Sequence, residues 1–293
     1  MAKRQLSATE AFDLRQALHV AILNALMASR RWGPGDLVFQ GGTSLHLAHG
    51  SPRFSEDLDF LVGAALKLGP IAESVRASLE GLPWLPEGAQ LQVGKAKDGR
   101  NPHAFIVSIG GPDLIGSVKV KVEMWQTAEA ALSSVKAFVA PVQLARGPGA
   151  GMQAFIPVAD LTEIYADKVF ALAARSFLKP RDVFDLYWLE TQAGLKSCSA
   201  DQLAVRLETY PHVTPSAWLE KAYARWDELQ GATQAVHGDL RRWLPSAWPL
   251  TEAAAGEMVR SAIRALEQGI EMMREIEADC DDGLHYFDEG PSL

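Results

Sequence analysis

The stretch "GGTSLHLAHGSPRFSEDLDF", residues 41–60, most constrains what this chain can fold into. It begins with two glycines and two hydroxyl residues, and it ends with Asp57 and Asp59 on either side of Leu58. Aspartate is depleted in strands, but the apolar residues that follow predict a strand over 57–62. Side chains at i and i+2 of a strand point to the same face, so the two carboxylates must lie close together.

Two neighbouring carboxylates repel each other, and one of them holds a proton unless a cation lies between them. Mg²⁺ relieves that repulsion because it prefers oxygen ligands together with substrate phosphates. The alternating stretch "SVKVKVEM", residues 117–124, offers a third acid, Glu123. We therefore predict that Asp57, Asp59 and Glu123 hold Mg²⁺ or Mn²⁺, which activates a nucleophile and stabilises a leaving pyrophosphate. The alternative is an aspartate-rich strand end that caps neighbouring backbone.

The glycine pair predicts a tight turn that leads into a short helix. Backbone N–H groups at such a helix start can approach a phosphate closely, and a nearby hydroxyl can donate to the same phosphate. Arg53 lies in the loop before the aspartates, where it either contacts a phosphate or braces the loop. The nearby His46 is expected to have a packing or helix-surface role. The candidate nucleotide-binding residues of this stretch are Gly42, Thr43, Ser44 and Arg53.

The length of 293 residues suits two domains, and 48% apolar residues suffice to fill their cores. Strand patterns dominate the first half, and helical patterns follow Pro157. The stretch "PVQLARGPGAG", residues 141–151, predicts a linker or an exposed loop because it is rich in proline and glycine. The expected fold class is α/β, with a small mixed sheet in domain 1–158 followed by a helical domain, 159–293.

The net charge of −8 is concentrated at one end of the chain. Residues 267–289 contain nine acids and one base, which accounts for the whole imbalance. The rest of the chain is neutral and can still present a basic cleft to a nucleic acid. Two distant cysteines, Cys198 and Cys280, argue against a disulfide framework or a cysteine zinc site. Without a long apolar run or a signal-peptide pattern, we expect a cytoplasmic protein with no membrane partner.

A second block, "ADKVFALAARSFLKPRDVFDLYWL", spans residues 166–189. Lys168 and Arg175 are seven residues apart and share a helix face, from which they can offer positive charge to a triphosphate or to RNA. Asp182 and Asp185 share a face of the next helix, near its start. The alternative is that Arg181, Asp182 and Asp185 form a structural ion-pair network between the two helices.

Together, the two blocks closely resemble the AbiEii/AbiGii toxin family of nucleotidyltransferases, which includes the MenT-type toxins. The resemblance covers roughly residues 35–190. The blocks stand in the family's order, and Glu123 lies between them where the family has its third acidic position. Glutamate in place of aspartate at 123 is a departure that keeps the ligand chemistry and changes the reach of the side chain.

The resemblance implies a polymerase-β-like nucleotidyltransferase fold in which the helical domain completes the active-site cleft. It implies the toxin of a toxin–antitoxin or abortive-infection system, which adds nucleotides from an NTP to RNA, at the tRNA 3′ end, and blocks translation. A cognate antitoxin protein is the implied partner. In this interpretation Lys168 contacts the triphosphate, and Asp57, Asp59, Lys168 and Asp185 are the catalytic residues.

Two alternatives stay open from the sequence. The same site could transfer a nucleotide to a protein side chain or a small molecule. A degenerate fold could instead bind a nucleotide or a partner protein without turnover, and the intact set of acids argues against that alternative.

Overall fold

The computed structural model of the protein describes residues 3–33, 35–97, 101–144, 146–210 and 212–285, with side chains described as far as Asp279. The chain separates into two compact units, Met1–Ala159 and Asp160–Leu293. The end of the acidic segment, which includes Asp288 and Glu289, lies outside the described residues.

The first unit contains both strands and helices. Its elements among the described residues are β1 (Arg4–Gln5), α1 (Ala8–Ala28), β2 (Leu37–Gln40), α2 (Gly41–Leu47), β3 (Leu58–Gly63), α3 (Leu68–Leu79), β4 (Gln90–Val93), β5 (His103–Gly110), β6 (Leu114–Ile115), β7 (Val118–Thr127), α4 (Glu129–Ser134), β8 (Ala137–Gln143) and β9 (Gln153–Ala159).

Seven of these strands form one mixed sheet in the order β4-β5-β7-β3-β2-β9-β8. β3 pairs in parallel with β7 and β2 in parallel with β9, while the other neighbours in this sheet are antiparallel. β1 and β6 form a separate two-stranded parallel pair. The predicted fold class, α/β with a mixed sheet followed by a helical region, is confirmed.

The main core of the first unit lies on one face of the sheet. Alternation along β7 buries Val118, Val120, Val122 and Met124 in a cluster that includes the apolar residues of α1 and α3. Because successive side chains of a strand point to opposite faces, the residues between them, Glu123 among them, lie on the other face of the sheet. The apolar pattern of β7 therefore decides which face carries the candidate acids.

The start of α1 is set by its capping residues. The backbone N–H of Glu10 donates to the Ser7 hydroxyl at 3.2 Å, and the Ser7 N–H donates to the Glu10 carboxylate at 3.0 Å. This reciprocal pair satisfies two N–H groups that the first turn leaves without helical partners.

The prediction of a linker or exposed loop over 141–151 is only partly correct. Residues 141–143 end β8, which pairs with β9 as an antiparallel hairpin at the edge of the main sheet. The described residues that follow form the hairpin's loop. Pro141 lies in β8, and proline is tolerated there because an edge strand need not donate along its outer side. Phe155 and Val139 remain exposed on this hairpin.

The second unit is helical. Its elements are α5 (Leu161–Ala174), α6 (Pro180–Ala193), α7 (Ala200–Thr209), α8 (Pro215–Gln230), α9 (Thr233–Leu240) and α10 (Glu252–His285). Trp218 of α8 is fully buried and donates its indole N–H to the Phe170 carbonyl at 3.0 Å. α10 packs against α6, α7, α8 and α9, so the longest helix organises this unit.

No helix among the described residues has both the length and the apolar character that a membrane crossing requires.

Candidate active site

Gly41 allows the first helix turn after β2 to approach an aspartate. Its φ of 79° lies in the left-handed region, which an L side chain adopts only with strain. A Cβ atom at this position would lie 2.7 Å from Oδ2 of Asp59. The absence of a side chain at Gly41 therefore lets the Asp59 carboxylate lie against the start of α2.

Gly42 makes room for a buried cation. A Cβ atom there would overlap Nη2 of Arg53 and would lie 3.2 Å from the Ser55 hydroxyl. Arg53 is 2% exposed, and its Nη1 donates to the Phe54 carbonyl at 2.8 Å. The guanidinium thus braces the loop and also holds a positive charge beside the start of α2.

The two hydroxyl residues of α2 differ in their contacts. Thr43 is fully buried, and its hydroxyl donates to the backbone carbonyl of Asp57. That bond ties α2 to the start of β3, so the hydroxyl expected to bind phosphate is used in this structure to position the aspartate strand. Ser44 is also fully buried, and its hydroxyl has no hydrogen-bond partner among the described residues.

The strand pairing brings two of the predicted acids together. Asp59 of β3 and Glu123 of β7 are Cα partners on neighbouring parallel strands. Asp57 lies directly before β3. Lys121 forms an ion pair with Glu123, and this hydrogen bond raises the pKa of the Lys121 ammonium, with burial opposing and the charges of Glu123, Asp57 and Asp59 adding to it. All three carboxylates therefore favour the ammonium, with Glu123 as its ion-pair partner.

The donor chemistry of this region fits a divalent cation. All three predicted ligands offer carboxylate oxygens, which suit Mg²⁺ and Mn²⁺, and the region already accommodates one positive charge. Within the described ranges, however, no three His, Cys, Asp or Glu side chains are gathered closely enough to hold a metal ion. The metal site of Asp57, Asp59 and Glu123 therefore stays a prediction.

The charged residues of the second block form a buried cluster between α5 and α6. Lys168 Nζ lies 2.6 Å from Asp182 Oδ1 and 2.9 Å from Asp185 Oδ2, and all three side chains are at most 6% exposed. Arg175 approaches the other Asp182 oxygen at 3.4 Å. Arg181 lies 4.1 Å from the centre of the Trp243 ring. An ion-pair network between the helices exists, but its cations are Lys168 and Arg175.

Asp182 stays ionised in spite of its burial. Burial alone would raise the pKa of this carboxyl, but the nearby charges of Lys168 and Arg175 outweigh that effect and lower the pKa well below its usual range. The carboxylate therefore remains a partner for Lys168 across the physiological pH range.

Sequence reasoning missed the side chains that support the aspartate loop. His46 Nδ1 lies 2.8 Å from the Ser51 carbonyl, so this nitrogen carries the proton, and the Gln16 amide donates to Nε2 at 3.1 Å. His19, from α1, contacts the Glu56 carbonyl at 2.9 Å. Burial lowers the pKa of both histidines, which keeps them neutral. The one signal in the sequence was that both histidines lie within apolar stretches, at spacings that metal-binding histidines do not have.

The sequence model of one protein family, described as "Nucleotidyl transferase AbiEii toxin, Type IV TA system", matches residues 25–242. The match covers most of the chain, and it includes every candidate residue of both blocks. The chain belongs to the AbiEii nucleotidyltransferase toxin family. The family and the enzyme class predicted from the sequence, a nucleotidyltransferase, are therefore confirmed.

Solved structures with a similar chain course include JHP933 from Helicobacter pylori, at 20% identity and a TM-score of 0.49, covering 93% of this chain and 99% of that one. A putative nucleotidyltransferase from H. pylori has 19% identity and a TM-score of 0.49, and the match covers 91% of this chain and 98% of that one. MenT4, the nucleotidyltransferase toxin Rv2826c from Mycobacterium tuberculosis H37Rv, has 19% identity and a TM-score of 0.46, with 88% and 85% covered. A comparison with proteins of curated function finds no match.

Gly41→Ala should impair both the stability and the activity of this AbiEii-family enzyme. The left-handed backbone should lower the free energy of unfolding by about 1–2 kcal/mol, and the new Cβ should displace the Asp59 carboxylate. Chemical denaturation measures the first effect, and nucleotide incorporation per folded molecule measures the second.

Gly50→Ala is the matched control for that variant. Gly50 has a φ of 80°, but a Cβ atom there would meet nothing within 4 Å. We expect a similar loss of stability with unchanged incorporation per folded molecule. Equal activity of the two variants would show that Gly41 does not serve Asp59.

Lys168→Ala should destabilise the protein strongly at pH 7, because it leaves two buried carboxylates without their shared cation. The expected loss is about 3–5 kcal/mol of unfolding free energy, whereas Lys196→Ala, at an exposed lysine, should cost little. Denaturant titration of both variants checks this expectation. Similar stabilities would contradict the importance of the buried cluster.

The same cluster predicts how stability depends on acid. The pKa of Asp182 is lower in the folded than in the unfolded protein. Its contribution to the free energy of unfolding is therefore complete above the pKa of the unfolded chain, about 4. That contribution is lost as the pH falls from there toward the folded value. Asp182→Asn should flatten this decline, while the exposed Asp227→Asn should leave it unchanged when unfolding is measured between pH 5 and pH 2.

Proposed function

We propose that this AbiEii-family enzyme transfers a nucleotide from an NTP to the 3′-hydroxyl of RNA, at the acceptor end of tRNA, and thereby blocks translation. The observation that carries the proposal is the pairing of Asp59 with Glu123 across neighbouring parallel strands, beside the glycine pair that begins α2. Two adjacent carboxylates can bind a cation, and glycine backbone beside them can approach a phosphate closely. Together they suit a reaction that needs both a cation and a bound phosphate.

Asp57, Asp59 and Glu123 would hold Mg²⁺ or Mn²⁺ in this proposal. When bound, the cation would lower the charge repulsion at the reacting phosphate and stabilise the leaving pyrophosphate. A carboxylate of the set accepts the proton of the RNA hydroxyl as its oxygen attacks the α-phosphorus. The bond to pyrophosphate breaks in the same displacement.

Gly42, Ser44 and Arg53 would bind the phosphates of the NTP. Gly42 leaves room for Arg53, which holds a positive charge beside the start of α2. The Ser44 hydroxyl has no hydrogen-bond partner among the described residues and so has unused donor capacity. Thr43 supports them indirectly, because its hydroxyl fixes the backbone of Asp57. We assign Thr43 a positioning role.

Lys168 and Asp185 enter the proposal through the family's second block. Lys168 would contribute its ammonium charge to the triphosphate, and Asp185, which is fully buried 2.9 Å from that ammonium, would hold it in place. A compact ammonium cannot be replaced well by a planar guanidinium, so Lys168→Arg should restore little of the function lost in Lys168→Ala.

The RNA acceptor would meet a basic surface of the helical unit made of Lys179, Arg181 and Arg242, with the exposed Phe177 beside them. Lys179 lies 5.9 Å from the Phe177 ring, and Trp243 lies between Arg181 and Arg242. Cations that contact phosphates and an exposed aromatic ring on which a base can stack are the usual elements of single-strand binding. Lys168 is too deeply buried to belong to this surface, contrary to the expectation from its helix face.

Membership of a type IV toxin family implies a cognate antitoxin as partner. We place the reaction in the cytoplasm, where NTPs and tRNA meet.

Asp59→Ala and Asp57→Ala should each abolish transfer without unfolding the protein, because both side chains are partly exposed and contribute little to the core. The measurement is incubation of each variant with labelled NTPs, total cellular RNA and Mg²⁺ or Mn²⁺, followed by sequencing of RNA 3′ ends. Added nucleotides on tRNA ends are the expected product of the unmodified protein.

Glu80→Ala, at an exposed acid after α3, is the control and should transfer normally. Full activity of Asp59→Ala would exclude the assigned site. Label found only on a protein or on a small molecule would show that this molecule, and not RNA, is the acceptor. Binding of nucleotide without any transfer would identify a non-catalytic module.

Charge reversal on the basic surface should weaken the use of RNA more than the binding of NTP. In Lys179→Glu or Arg181→Glu, the KM for RNA should rise several-fold, the dependence of transfer on salt should become shallower, and NTP affinity should change little. Lys196→Glu, also at an exposed lysine of the helical unit, is the control. Equal effects of all three changes on RNA use would refute a local RNA-binding surface.

A further inference from the structure

Lys121 stands on the same face of β7 as Glu123. Its neighbours Val120 and Val122 are fully buried in the core, so the strand's alternation directs Lys121 and Glu123 to the opposite face. The two side chains form an ion pair in which Lys121 remains 45% exposed and Glu123 only 18% exposed. The lysine therefore reaches the acid from the solvent side.

The strand register brings the other two acids to the same place. Asp59 is the Cα partner of Glu123, and Leu58 is the partner of Val122. The same parallel register continued by one residue aligns Asp57 with Lys121. The register therefore places Lys121, which is ion-paired with Glu123, on the same sheet face as all three predicted metal ligands.

Three carboxylates on one sheet face repel one another, and a cation beside them relieves that repulsion. An ammonium on a flexible four-carbon stem can supply that charge, and it can also leave, because nearly half of the side chain is in contact with solvent. A divalent cation that takes Glu123 as a ligand competes with this ion pair, because two positive charges that share one carboxylate repel each other.

We propose that Lys121 is a built-in placeholder for the divalent cation: it holds Glu123 while the metal is absent and releases it when the metal binds. The proposal rests on the metal site of the proposed function, and it adds that the Lys121 ammonium competes with the metal for Glu123. Metal binding then includes the loss of one ion pair, which weakens the affinity for metal and stabilises the metal-free protein.

Removal of the competitor should tighten metal binding. In Lys121→Met the affinity for Mn²⁺, titrated without nucleotide and read from the electron paramagnetic resonance signal of unbound Mn²⁺, should rise about five- to tenfold, as expected for the loss of one ion pair. In EDTA this variant should begin to unfold at a lower temperature than the unmodified protein. Saturating Mn²⁺ should remove that difference.

Lys119→Met is the matched control, because Lys119 lies two residues earlier on the same face and, in the β5–β7 register, is the partner of Ser108. It removes the same charge at a greater distance from Glu123, so Mn²⁺ affinity should rise less than about twofold, in line with screened surface charges. Lys121→Arg keeps a cation beside Glu123 and should retain the affinity of the unmodified protein.

The outcomes separate this proposal from the function on which it rests. If Mn²⁺ binds and Asp59→Ala removes the binding, but Lys121→Met binds equally or more weakly, the placeholder is refuted and the metal site stands. If neither the unmodified protein nor Lys121→Met binds Mn²⁺, both are refuted. Equal tightening in Lys121→Met and Lys119→Met would reduce the effect to general electrostatics and would also overturn the placeholder.

Discussion

The parallel pairing of β3 with β7 is the contact on which the candidate site depends. It aligns Asp59 with Glu123 at adjacent positions, which no constraint within either strand alone could do. The pairing is itself fixed by burial, because a shift of one residue would turn Val120, Val122 and Met124 away from α1 and α3. The hydrophobic core therefore decides which face of the sheet carries the candidate acids, and the chemistry follows from the packing.

The like charges explain the features around that pairing. Gly41 leaves room for the Asp59 carboxylate, Thr43 holds the backbone of Asp57, and Lys121 supplies a cation. The helical unit has a similar arrangement, since one buried lysine there is shared by two buried aspartates. In both places a lysine is held beside carboxylates, so a change of one partner affects the others.

The sequence was sufficient for those parts of the molecule that local patterns determine. Alternation in residues 117–124 indicated the strand β7, and the two blocks in their order along the chain identified the family. β8 and β9 were missed because Pro141 and the exposed Phe155 break the alternation that marks a strand, and because β9 joins the sheet through a tertiary pairing with β2. The buried partners of Lys168 and the hydroxyl bond of Thr43 depend on tertiary contacts, which a one-dimensional pattern does not contain.

The hairpin of β8 and β9 ends the main sheet on an open strand with exposed apolar side chains, a form that invites another molecule to add its own strand. Pro141 interrupts the row of N–H donors that such an addition needs. A proline in this edge strand therefore works against strand addition between molecules, a contribution to colloidal stability that is separate from the contacts within the fold.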